Sequence, residues 1–209
     1  MEASFVFVIW MLNFGISIWN AYVVGTAWVE TKHYGGWPRF MSWMGAIMSA
    51  SGFTWCYLIL LGFVGHGLGW LTLDDLVSAL SLGYILLIPG ILFSGLMITL
   101  DSWARAYRTR TISSIGVAAW NTYAQIHNTY HAINSFGKAF KQVVGSSSLR
   151  RGKGAAIILV IVLVVVALLS GVITTTLIIR RVAGDYKLPE PGQQGETPKS
   201  PWNLDRDGC

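Results

Sequence analysis

Charge is what this chain has least of. Asp, Glu, Lys and Arg make up 12% of its 209 residues, about half the roughly 25% usual in soluble domains. The few charges also cluster, leaving four uncharged runs at residues 4–29, 40–64, 76–100 and 155–179. Each run is long enough to cross a bilayer as a helix. A hydrophobic fraction of 53% and a mean hydropathy of +0.52 exclude an ordinary soluble globule. None of the runs contains Asp, Glu, Lys, Arg or His. Ion-coupled carriers and proton channels place ionisable groups at such depths, so their absence weighs against both.

Other absences narrow the chemistry. There are two cysteines, Cys56 inside the second run and Cys209 at the end, which supply no disulfide framework and no thiolate cage. The glycine-rich stretch at residues 65–75 has no Lys or Arg to cradle a phosphate. No Ser-His-acid arrangement and no repeat of solenoid length occurs. The sequence therefore predicts a protein that is not an enzyme and needs no cofactor. Glu2 is the only charge ahead of the first run, where a signal peptide would carry basic residues. That run reads as a retained span.

What is present is an all-α integral membrane protein. The reading is a three-span membrane domain (1–100), an amphipathic basic helical segment (101–154), a fourth transmembrane helix (155–181) and a Pro-rich flexible tail (182–209). In the first span Asn13, Ser17 and Asn20 share one helical face. Amides turned to lipid are costly, so this face meets other helices or lines a polar path. Ser42, Gly45, Ser49 and Gly52 form a small-residue stripe on the second span, and Ala79 with Gly83 and Ala167 with Gly171 repeat the theme. Such stripes let neighbouring helices approach closely. Thr72 and Asp75 have capping-box spacing at the start of the third span. Pro89-Gly90 removes a backbone bond near its middle and predicts a kink.

The central segment holds eight of the fifteen basic residues: Arg105, Arg108, Arg110, Lys138, Lys141, Arg150, Arg151 and Lys153. These are candidate contacts for anionic lipid headgroups or a partner protein, rather than for nucleic acid. Between Thr111 and Gly137 there is no charge. Ile112, Ala119, Ile126, Ile133 and Phe140 recur every seven residues, alongside Tyr123, Tyr130, Gly137 and Val144, and form one apolar stripe. The opposite face carries Asn121, Gln125, Asn128, Asn134, Lys138 and Lys141. Amides in place of Glu and Lys suit burial against protein or an oligomer's lumen; a helix lying on the headgroups is the other reading. His127 and His131 are four apart, a weak metal candidate, since zinc needs three or four ligands.

Ten basic residues fall on the side of the central segment and five on the other. This predicts a plasma or inner membrane protein with both termini outside and the central segment cytoplasmic. A rival layout takes residues 112–133 into the bilayer, opposed by the cost of Asn121, Gln125, His127, Asn128 and His131 there. The functional expectation is a structural subunit of a larger membrane assembly of the secretion, conjugation or envelope kind. Its partners would be other membrane proteins or copies of itself. The alternative is an oligomeric channel or carrier lined by Asn13, Asn20 and the central helix. A membrane enzyme using His127 and His131 is the third.

Overall fold

The computed structural model describes residues 2–30, 36–145 and 154–186, with side chains from residue 7 in the first stretch and from residue 157 in the last. It is all-helical: α1 (Glu2–Glu30), α2 (Trp37–Gly67), α3 (Leu73–Thr109), α4 (Ile112–Gly145) and α5 (Gly154–Asp185). Four of these, α1, α2, α3 and α5, are long and apolar enough to cross a membrane, with mean hydropathy rising from 1.5 in α1 to 3.2 in α5. The chain is a multi-pass membrane protein on that evidence.

Local chemistry sets the helix ends. Gly36, at φ 70°, and Pro38 in the first turn open α2. Gly69, at φ 74°, turns the chain after it. Thr72 Oγ1 accepts from the Asp75 backbone N–H at 3.2 Å, and the Asp75 carboxylate accepts from the Thr72 N–H at 3.1 Å. That reciprocal cap starts α3. The helix then runs unbroken through Pro89 and past the end of its apolar stretch, where Asp101 and Arg105 pair one turn apart. Arg110, left-handed at φ 51°, ends it. Only Arg110 and Thr111 separate α3 from α4, so the two helices fold back antiparallel.

α2 is the central helix, packed against α1, α3 and α5; its Phe53, Cys56 and Leu58 are fully buried. The direction of α5 follows from its two ends. Val160, near its start, clusters with Leu71 and Ala79 at the α2–α3 turn. Tyr186, just after its end, donates from its hydroxyl to Glu30 Oε1 at 2.7 Å, at the close of α1. α5 therefore runs parallel to α1 and α3, and the described bundle begins and finishes at opposite ends. This differs from the alternating up-and-down arrangement read from the sequence, which has both termini on one side. The physical reason is α4: its 34 residues, about 51 Å of helix, carry the chain back the length of the bundle before α5 begins.

α4 lies alongside the spans. Among the described helices it packs on α3 alone, and it does so lengthwise. Trp103 Nε1 donates to Thr122 Oγ1 at 2.8 Å, Thr99 Oγ1 to the Asn121 carbonyl at 3.3 Å, Gln125 Nε2 to the Leu92 carbonyl at 3.0 Å, and Tyr84 Oη to the His131 carbonyl at 3.3 Å. Residues 121–131 of α4 thus lie level with the apolar stretch of α3.

Candidate functional site: the α3–α4 hairpin

Small and amide residues recur every three or four positions along α4, and that face meets α3. Ala118, Ala132 and Ala139 are buried there, with Asn121, Gln125 and Asn128 half-buried beside them. The Gln125 carboxamide lies over Gly95, where any Cβ would collide with it. The apolar stripe points the other way: Ile112 is 91% exposed, Ile133 72% and Ile126 65%, with Tyr123, Tyr130, Phe140 and Val144 also exposed. α4 is thus inside out relative to a helix of a soluble protein, which buries its apolar stripe. Burying one such side chain is worth about 1.5–3 kcal/mol in water, so leaving the whole row exposed is favourable only against hydrocarbon or another protein.

Beside the apolar stripe runs a second exposed row. Trp120 packs on Tyr123 at 5.9 Å, Tyr123 on His127 at 6.0 Å, and His127 on His131 at 4.3 Å between ring centroids. Asn134 continues it. The two imidazoles are adjacent, but among the described residues no third His, Cys, Asp or Glu joins them.

Toward the end where α3 begins, a shallow, open groove of about 320 Å³ is bounded by Trp55, Ser81, Tyr84, Ser135, Lys138 and Gln142. Trp55 and Tyr84 meet edge to face at 6.3 Å and form its apolar floor.

The basic residues divide between the two ends. Arg105, Arg108 and Arg110 lie at the α3–α4 turn, with Arg39, Arg180 and Arg181 at the same end of the bundle; Lys138 and Lys141 lie toward the other. Arg150, Arg151 and Lys153, like the tail from residue 187, lie outside the described residues. The basic end is tied together by side chains. Arg39 sits 3.5 Å over the Trp28 ring and donates to the Trp28 carbonyl, and Trp37 Nε1 donates to Asp101 Oδ1 at 2.7 Å. Burial, then the bond to Glu30, pushes the Tyr186 phenol up to about 12, so it stays a neutral donor.

The polar face of α1 lies elsewhere. Ser17 is buried; its Oγ donates to the Asn13 carbonyl, and its own carbonyl accepts from Ser49 Oγ at 3.0 Å. Ser49 in turn meets Thr175 Oγ1 at 3.3 Å, so this seam joins α1, α2 and α5. Asn13 and Asn20 are half-buried along it. Among the described helices α4 packs on α3 alone, so the described residues of a single chain do not bring Asn13 or Asn20 to α4.

The small residues occupy close approaches. Gly45 faces Val24, Gly52 faces Ser17 and Gly83 faces Leu58. A methyl group at Gly171 would sit 2.7 Å from the Ala50 carbonyl oxygen. Ser42 Oγ donates to the Pro38 carbonyl at 3.2 Å, Ala79 lies in the cluster with Leu71 and Val160, and Ala167 packs with Leu58 and Val164. Sequence reasoning did not reach the Gly95–Gln125 contact or the Trp55–Tyr84 groove, because both depend on the register of α4 on α3. The one available signal was a glycine in α3 able to accept a bulky amide. Comparison with family models, with curated proteins and with solved structures returns no match.

Proposed function

We propose that this chain is a non-enzymatic membrane protein of five crossings, with α4 as the fourth, and that it serves as a structural subunit of a larger assembly in a plasma or inner membrane. A secretion, conjugation or envelope complex is the kind of assembly meant. The observation that carries the reading is the orientation of α4: apolar stripe outward, amides and alanines against α3. This is the pattern that a crossing helix needs, because polar groups in hydrocarbon must find partners within the protein. The amides at 121, 125 and 128, which make a lone crossing expensive, are set against α3.

Five crossings place the basic end and the start of α1 on opposite sides of the membrane. Among the described residues the basic end has six arginines, and the other end has Lys138 and Lys141. The positive-inside bias then puts the basic end in the cytoplasm and the amino terminus outside. The subunit reading draws on the second exposed row. Trp120, His127, His131 and Asn134 have no described helix over them, and polar side chains facing lipid are costly. Another membrane protein or a second copy laid against this row removes that cost. Extraction in a mild detergent followed by mass measurement tests it: the chain is expected in a species heavier than one copy, shifting to monomer when His127 and His131 become Leu. A wild-type monomer in every mild detergent would contradict the subunit reading.

A further inference from the structure

The groove between α2, α3 and α4 has the features of a site for an amphiphile. Val77, on its rim, lies four residues into α3 and Tyr84 eleven, so its wall descends from about 6 to about 16 Å below the helix start. In a membrane-embedded bundle this runs from headgroup level into the acyl region. Polar groups come from Ser81, Ser135, Gln142 and Lys138, and Trp55 and Tyr84 form an aromatic floor. Lys138 is the only charged residue of the lining, and neither ion pair among the described residues involves it. An exposed cation without an ion-pair partner among the described residues, beside a mostly apolar open groove, matches one occupant, a lipid with an anionic headgroup.

We propose that this groove binds one anionic phospholipid, its phosphate held by Lys138 with the neighbouring hydroxyls and amide, and an acyl chain against Trp55 and Tyr84. The proposal rests on α4 lying in the bilayer beside α3. That placement is tested separately by labelling from the two sides of the membrane, so a failure of the groove leaves the crossing intact.

The test is native mass spectrometry of the full chain purified in detergent, given phosphatidylglycerol, phosphatidylcholine or soluble glycerol phosphate. Wild type is expected to retain a single phosphatidylglycerol about fivefold more than phosphatidylcholine, with no retention of glycerol phosphate. Lys138→Gln should erase that preference, while Lys138→Arg, and Lys141→Gln outside the groove, should keep it. Equal retention of the two lipids, equal loss in the Lys138 and Lys141 variants, or displacement of the lipid by glycerol phosphate would each overturn the proposal. Should Lys138→Gln fail to fold, Ser135→Trp decides: filling the groove with Lys138 intact must lower phosphatidylglycerol retention, and unchanged retention refutes the site.

Discussion

α4 and α5 are nearly equal in length, 34 and 32 residues, and on the proposed crossing of α4 they meet the same environment in opposite ways. α5 is apolar around most of its circumference and inserts small residues, Ala167 and Gly171, where it meets α2. α4 is apolar on one side only and sets Asn121, Gln125 and Asn128 against α3, leaving His127, His131 and Asn134 exposed. Average hydropathy detects the first design and passes over the second, because it does not record which face carries the polar groups. The partners differ accordingly. α5 docks through backbone approach at glycine, whereas α4 docks through hydrogen bonds in both directions: Gln125 donates to the Leu92 carbonyl of α3, and Thr99 and Tyr84 of α3 donate to the Asn121 and His131 carbonyls of α4.

The comparison breaks hardest at Gly171. Its missing side chain is replaced by the Ala50 carbonyl and the Thr54 amide, both 2.7 Å from where a Cβ would stand, and backbone gives way poorly. Gly171→Val should cost about 3 kcal/mol or more, read as loss of the folded peak in detergent. Gly116→Ala on α4, with open space around it, should change stability by less than about 0.5 kcal/mol.

Ile126 sharpens the contrast in the other direction. If the apolar stripe of α4 faces lipid, Ile126→Lys should oppose insertion by about 2.5–3.5 kcal/mol, seen as a drop in membrane-integrated protein. On a helix in water the same change would be nearly neutral. Smaller effects are expected at the α3–α4 seam. Gln125→Ala should cost about 1 kcal/mol through its bond to Leu92, and Gly95→Ala about 1–3 kcal/mol by crowding the carboxamide. The pair together should cost less than the sum, because removing the amide makes room for the methyl; strict additivity in a double-mutant cycle would dismiss the contact. Last, Thr72→Ala removes the reciprocal cap of α3 and should lower stability by about 1 kcal/mol, without changing how the helices dock.

The four apolar helices were legible because each is a long run free of charge, and the cap at Thr72 because its two partners lie three residues apart. The amide face of α4 was legible as a face in need of a partner. What covers it was not, since the choice between α3, another chain and water is made by the two-residue turn at Arg110 and Thr111. The direction of α5 was hidden for a related reason. It depends on Val160 meeting Leu71 and on Tyr186 meeting Glu30, contacts between residues about 90 and 156 positions apart, which no local pattern encodes. Charge counting alone divides the basic residues ten to five in the alternating layout, and it cannot see that the chain returns through α4.

Labelling single cysteines at the two ends of α4 addresses that return. With Cys209 replaced by Ser and Cys56 fully buried, Ser113→Cys and Val144→Cys each present one exposed thiol. In sealed, oriented vesicles an impermeant maleimide is predicted to reach these two positions from opposite sides. Modification of both from the same side would mean that α4 does not cross.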